Sequence, residues 1–232
     1  VAFQAPGSAE RDLSWLNSSS LADLSRDGRS VLFTEKIGSG PSGVFLRRTD
    51  GSPAMRLGEG ERPRLSPDGK WVAAFLASKR QILLFPTGPG ETRQLTCPDT
   101  GCARGFFLAD GSGLIVDGFS KAGSIASFLV PLDGGPWRQV VSGDVCHAVS
   151  PDGEHCAGGG PAGPTLVSLP DGKTEPVRGG EPGDRPLCFS ADGKALFVTR
   201  QAEIPTPVFR IELSTEKPQF KPGREGSSGG NR

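Results

Sequence analysis

Four residues with zinc-binding chemistry bracket one short stretch of this chain: Cys146, His147, His155 and Cys156. Thiolates and imidazoles are the usual zinc donors, and a structural site needs four of them converging on one point. In an extended chain, adjacent side chains point to opposite faces, so neither Cys146 with His147 nor His155 with Cys156 can share one ion without a bulge. No metal site is expected. Cys97 and Cys102 enclose four residues, among them Pro98 and Gly101, in what reads as a loop. They are either a loop-stapling disulfide, formed in an oxidising compartment, or two free thiols. Cys188 stands apart from the other four.

Other motifs match catalytic or nucleotide signatures only in letters. Gly38 to Gly43 fits G-x-G-x-x-G, but a dinucleotide site needs a helix after the glycines, and Val44 onward reads as a strand. A kinase nucleotide loop would require a later V-A-I-K-like strand, an H-R-D loop and a D-F-G; Asp117-Gly118-Phe119 is only an anagram of the last. Gly172-Lys173-Thr174 ends like a P-loop, with Val167 where the first glycine belongs. The G-x-S-x-G at Gly226 to Gly230 lies in a Gly, Ser and charge-rich tail that cannot present Ser228 on a strained elbow. A glycosidase needs two carboxylates flanking one bond. The innermost strands supply Asp23 alone, with Arg64 and His147 as the other polar groups.

The elements behind these residues follow from five Asp-Gly pairs: Asp27-Gly28, Asp68-Gly69, Asp110-Gly111, Asp152-Gly153 and Asp192-Gly193. Their steps of 41, 42, 42 and 40 residues match the repeat length of a β-propeller blade. Asp accepts hydrogen bonds from nearby backbone N–H groups and Gly adopts positive φ without a Cβ clash, which suits a type I turn with a G1 bulge. Their recurrence on every unit makes the five acids structural turns, not Ca²⁺ ligands or catalytic carboxylates. The strand after each turn, such as Trp71-Val72-Ala73-Ala74 or Gly113-Leu114-Ile115-Val116, is apolar nearly throughout, as a strand buried on both faces must be. Cys156 falls in the slot held elsewhere by Val31, Val72, Leu114 and Leu196, and so reads as a small buried apolar residue. A second hairpin about twenty residues later completes a four-stranded antiparallel meander.

The expected fold is therefore all-β, a β-propeller of five complete four-stranded blades plus a partial N-terminal blade. Residues 1–19 read as the C and D strands of that partial blade. Blades follow at 20–60, 61–101, 102–143, 144–180 and 181–221, and 222–232 reads as a flexible tail. The half blade suggests a fragment of a ring that continues upstream of Val1. Lys plus Arg and Asp plus Glu each number 26, which gives no electrostatic reason to expect nucleic acid or an anionic membrane as partner. No apolar run is long enough to span a bilayer, and no cofactor is implied.

The turn strings Ser25-Arg26-Asp27-Gly28-Arg29, Ser66-Pro67-Asp68-Gly69-Lys70, Ser150-Pro151-Asp152-Gly153-Glu154 and Ser190-Ala191-Asp192-Gly193-Lys194 resemble the WD40-like, or TolB-type, propeller repeat. The third unit departs from it with Leu108 in the serine position. A narrower likeness rests on Glu10 to Leu16, on Leu46 to Ala54 with Arg56 to Gly60, and on Glu181 to Asp184. These strings resemble the C-terminal propeller of bacterial transmembrane serine/threonine protein kinases. The likeness implies the distal, sensor-like part of a membrane-anchored signalling protein, with an extracytoplasmic or periplasmic position as one placement. It names no ligand, and the same repeat serves several functions.

The function expected is a non-catalytic module that binds a protein or a small molecule. Its binding face would be built by the D-to-A and B-to-C loops, with Arg62, Arg64, Lys79, Arg80, Arg104, Lys121, Asp184 and Arg185 as contact residues. Two alternatives remain: the substrate-gating propeller of a serine peptidase, which requires an α/β-hydrolase encoded downstream, and a free periplasmic TolB-like scaffold.

Overall fold

The computed structural model describes residues 2–3, 7, 9–14, 18–36, 40–97, 101–200 and 207–213. Strands β1 (Ala2–Phe3) and β2 (Arg11–Asp12) form a two-stranded antiparallel ladder. Four four-stranded meanders follow in chain order. The first holds β3 (Ser19–Leu24), β4 (Ser30–Glu35), β5 (Gly43–Arg48) and β6 (Met55–Glu59). The second holds β7 (Glu61–Leu65), β8 (Trp71–Leu76), β9 (Gln81–Pro86) and β10 (Arg93–Thr96), with a short 3-10 turn at Ala77–Lys79. The third holds β11 (Cys102–Phe107), β12 (Gly113–Phe119), β13 (Ile125–Pro131) and β14 (Arg138–Ser142). The fourth holds β15 (Ala148–Val149), β16 (His155–Gly160), β17 (Gly163–Ser168) and β18 (Thr174–Pro176). The fifth holds β19 (Asp184–Phe189), β20 (Ala195–Arg200) and β21 (Val208–Glu212). Its expected fourth strand, the Gly38 to Ser39 part of the glycine loop and the C-terminal tail lie outside the described residues.

The Asp-Gly turns are built from a repeated relay. Gly28, Gly69, Gly111, Gly153 and Gly193 all have φ between 67° and 75°, the left-handed region that glycine enters at no steric cost. In the second turn the Asp68 carboxylate accepts from Lys70 N at 3.0 Å and from Ser66 Oγ at 2.6 Å, while Ser66 Oγ accepts from Trp71 N at 2.9 Å. The same three bonds recur around Asp27, Asp152 and Asp192. In the third turn, where Leu108 replaces serine, Ser112 on the far side supplies both N–H and hydroxyl to Asp110. These bonds to the charged form hold all five carboxyls below the usual carboxylate value, because a carboxylate that accepts several hydrogen bonds resists protonation.

The second strand of each blade is apolar on both faces because each face meets a different neighbour. Leu32 packs with Val72 and Ala74 between the first and second sheets. Ala73 and Phe75 turn the other way, onto Leu114 and Val116 of the third. Ile115 then meets Cys156, and Ala157 meets Leu196 and Val198. Four clusters thus stack five sheets. At Gly105 an added Cβ would lie 2.8 Å from the Ile115 carbonyl oxygen and 3.1 Å from the Phe75 ring, so glycine lets the third sheet's inner strand approach the second sheet.

The N-terminal segment covers the free face of the first sheet. Leu13 is buried with Val31, Phe33 and Phe45, and Phe33 stacks on Phe45 with centroids 5.6 Å apart. Arg47 donates to the carbonyls of Leu13 at 2.9 Å and Ser14 at 3.2 Å, tying that segment to the sheet. The far face of the fifth sheet is different. Opposite Leu32, Ala73, Ile115 and Ala157 the third strands place Leu46, Leu84, Leu129 and Leu166. Opposite Phe197 stands Arg210, paired with Glu212 at 2.7 Å.

Two disulfides cross-link the described residues. Cys97 is bonded to Cys102, with Cα atoms 5.7 Å apart, between the second and third sheets. Cys146 is bonded to Cys156 inside the fourth sheet. Cys156 is fully buried, as its apolar slot requires, but it is also a bonding partner, which the slot alone did not indicate. No described helix is long and apolar enough to cross a membrane.

Candidate functional site: the axial passage

The first strands of the five sheets, β3, β7, β11, β15 and β19, are the sheet edges that face one another. Four of them carry a register shift, at Leu21/Asp23, Glu61/Arg64, Cys102/Arg104 and Pro186/Cys188. Bulges of this kind bend an edge strand and re-aim its side chains. Here they line a passage with two chambers.

The lower chamber, at the Asp-Gly end, has a volume of about 820 Å³ and takes residues from all five sheets, among them Asp23, Arg64, Phe106, His147 and Cys188. The upper chamber, of about 670 Å³, is lined by Arg62, Arg64, Arg104, Asp117 and Thr34, among others. Arg64 and Phe106 border both chambers. The Arg64 guanidinium lies 5.3 Å from the Phe106 ring centroid and donates to the Ala22 carbonyl. Arg64 therefore joins three inner strands at the waist, with a cation–π contact holding its flat face. Asp23 accepts from Leu24 N at 2.9 Å and Leu65 N at 3.0 Å, so it bridges the first two sheets.

A buried carboxylate organises the upper chamber. Asp117 is only 3% exposed, and it accepts from Arg104 Nε at 2.7 Å, Ser127 Oγ at 2.5 Å and Cys146 N at 3.0 Å. Three strands of the third sheet and the start of the fourth meet on this one side chain. His147 is half-buried beside it. Burial pushes the imidazole below its ordinary value, and Arg104 and Arg185 add to that shift against the opposing pull of Asp144 and Asp117. The ring is thus harder to protonate than a free imidazole.

The structure gathers only some of the residues expected on the binding face. Arg62, Arg64 and Arg104 meet in the upper chamber. Lys79 and Arg80 sit at the exposed turn between β8 and β9, and Lys121 at the tip joining β12 and β13; these three line neither chamber. Arg185 is exposed on β19. Asp184 is not on the surface: it is 2% exposed and bound to Arg200 through Nε at 2.7 Å and Nη2 at 3.1 Å, and it accepts from Glu181 N at 2.9 Å. Its role is to pin β19 to β20. Asp117 and Phe106 were missed by sequence reasoning, and the signal available for Asp117 was an acid inside an otherwise apolar second strand.

The sulfur atoms of Cys146 and Cys156 are bonded to each other. Among the described residues no group of three or more His, Cys, Asp or Glu is placed to hold a metal ion.

No protein-family model matches the chain, and no curated protein does. Solved structures do. A crystal structure of TolB from Acinetobacter baumannii superposes with a TM-score of 0.68 at 13% identity, over 89% of this chain and 55% of that one. One described as a TolB from Agrobacterium tumefaciens gives 0.59 at 17% identity, over 82% and 73%. A nidogen/laminin complex contains a chain that gives 0.64 at 12% identity, over 88% and 80%. This chain spans about half the length of the first of these. At such identities the likeness concerns the fold, and on that ground the five stacked antiparallel sheets form a TolB-like β-propeller.

Proposed function

We propose that this chain is a non-catalytic binding module, a sensor or scaffold, whose ligand or partner engages the axial passage and its rim. One observation carries the reading: all five sheets contribute side chains to a single concave passage, of the size range in which ligand sites are found. Charged groups at its wall are held by fixed contacts such as Arg104 with Asp117, which preorganises the surface. A charge-reversal set at Arg26, Arg62 and Arg64, which line the two chambers, that left the affinity of an identified partner unchanged would count against this surface.

The finer placement is the distal propeller of a bacterial receptor-like serine/threonine kinase. Glu10 to Leu16 and Leu46 to Gly60 support it, and ligand capture would bias the state of a distant kinase domain. A free periplasmic TolB-like scaffold is favoured by a different observation, the two disulfides, which persist in oxidising compartments. The full reading frame separates the two: the kinase placement requires a kinase domain and a membrane helix upstream of Val1, whereas the scaffold requires a signal peptide and no kinase. The β1–β2 ladder fits the outer half of a sixth blade. Its support is the burial of Leu13 against the first sheet and the clamp of Arg47 on the Leu13 and Ser14 carbonyls.

A further inference from the structure

We propose that the upper chamber is an oxyanion site, which takes a carboxylate or phosphate group between Arg62, Arg64 and Arg104. This deepens the axial-binding reading and rests on it. Three guanidinium groups and one carboxylate line the chamber, in a chain with equal numbers of acidic and basic residues. The single carboxylate, Asp117, is saturated by Arg104 Nε, the Ser127 hydroxyl and Cys146 N–H. Its charge offsets Arg104 and leaves two cations uncompensated at the wall.

The donors that remain point to an acceptor from outside. Asp117 engages Arg104 through Nε, and Arg64 gives one N–H to the Ala22 carbonyl. Arg62 forms no ion pair among the described residues. Its backbone is also held at φ 48° within the β7 bulge, a conformation that costs a non-glycine residue free energy and that concentrates at binding sites. A guanidinium matches an oxyanion through paired N–H bonds, and Thr34 on the first sheet lines the same space. The chamber is large for a lone inorganic ion, so the oxyanion belongs either to a small organic acid or to an acidic side chain.

Calorimetric titration of the whole chain tests this with four probes: inorganic phosphate, citrate, a hexaglutamate peptide and a hexalysine peptide. The expected result is binding of at least one anionic probe, weakened by about tenfold or more in Arg62→Ala and unchanged in Lys79→Ala, which lies outside the chamber. Citrate without hexaglutamate would identify a free acid as the source, and the reverse would identify an acidic segment. Arg62 is exposed, so its loss should not unfold the chain, and circular dichroism checks that. Equal anion binding by wild type and Arg62→Ala overturns the site. Binding of hexalysine alone overturns the charge assignment while the axial-binding reading stands. No binding by any probe overturns the oxyanion proposal, and the charge-reversal set then decides the wider reading separately.

Discussion

Replacing Asp117 by Ala should be the most damaging single change in the axial wall. The substitution deletes three accepted hydrogen bonds, from Arg104 Nε, Ser127 Oγ and Cys146 N. Ser127 and Cys146 are both fully buried, so water cannot replace the lost acceptor without entering the core. Cys146 N keeps the Ser127 hydroxyl oxygen as a second acceptor at 3.1 Å, so the Ser127 hydroxyl is the buried donor left without its partner, at about 1–3 kcal/mol. The Arg104 side chain is 31% exposed and can turn to solvent, which limits its share. The total falls at about 2–4 kcal/mol, below the usual cost of removing one member of a fully buried pair. That is a large fraction of the roughly 5–15 kcal/mol that holds a domain folded. Urea unfolding followed by tryptophan fluorescence would report it as a lower midpoint at constant slope. Amide exchange should show weakened protection at Cys146, whose N–H falls back on the Ser127 hydroxyl alone and which is the only one of the three donors that belongs to the next sheet's segment. Adding Arg104→Gln to Asp117→Ala should cost less than the sum of the two singles, since they share one bond. A destabilisation below about 1 kcal/mol for Asp117→Ala would refute the assignment of this carboxylate as the joint between the third and fourth sheets.

Gly69→Val should cost about 1–2 kcal/mol; no atom lies within 4 Å of the added Cβ, so the loss comes from the backbone at φ 71°, and an unchanged melting temperature would contradict the turn. Replacing Cys146 and Cys156 together by Ala should cost about 2–3 kcal/mol through the restored freedom of the ten-residue loop, and mass spectrometry of unreduced protein should find both this bond and Cys97–Cys102. Burial, with Arg104 and Arg185, depresses His147 in the folded chain against the pull of Asp144 and Asp117, so unfolding takes up a proton in mild acid. Its contribution is whole above the ordinary histidine value of about 6.5 and falls away as pH drops through it; unfolding free energies from pH 7.5 to 5.5 should decline in wild type and flatten in His147→Asn. The turn aspartates act lower. Their folded values are depressed, so their contribution is present above about pH 3.9 and is lost below it, and Asp68→Asn should blunt the acid transition.

The local features were legible because each is decided by neighbours in the chain. A turn needs Gly69 for its positive φ and Asp68 for its N–H partners, and both lie within five residues of the bonds they make. The two-faced apolarity of Trp71 to Leu76 likewise announces a strand buried between sheets. The substitution of Leu108 in the third turn was visible too, but not that Ser112 would make good the lost hydroxyl from the other side.

The site was legible only in part. Asp184 and Arg62 look alike in the sequence, charged residues near the start of an inner strand. One ends at 2% exposure locked to Arg200, the other exposed at the chamber rim. What separates them is the partner across the strand pair: Asp184 sits opposite Arg200 in the β19–β20 register, whereas the β7 bulge leaves Arg62 without a paired residue. The sequence by itself thus determined the number of sheets, their turns and the apolar strands between them, since these rest on short-range periodicity. Only the tertiary structure decided which charges meet on the axis, that Asp117 is the buried joint and that Cys146 reaches Cys156. Those outcomes depend on bulges and on the stacking of separate sheets, contacts between residues that no local pattern relates.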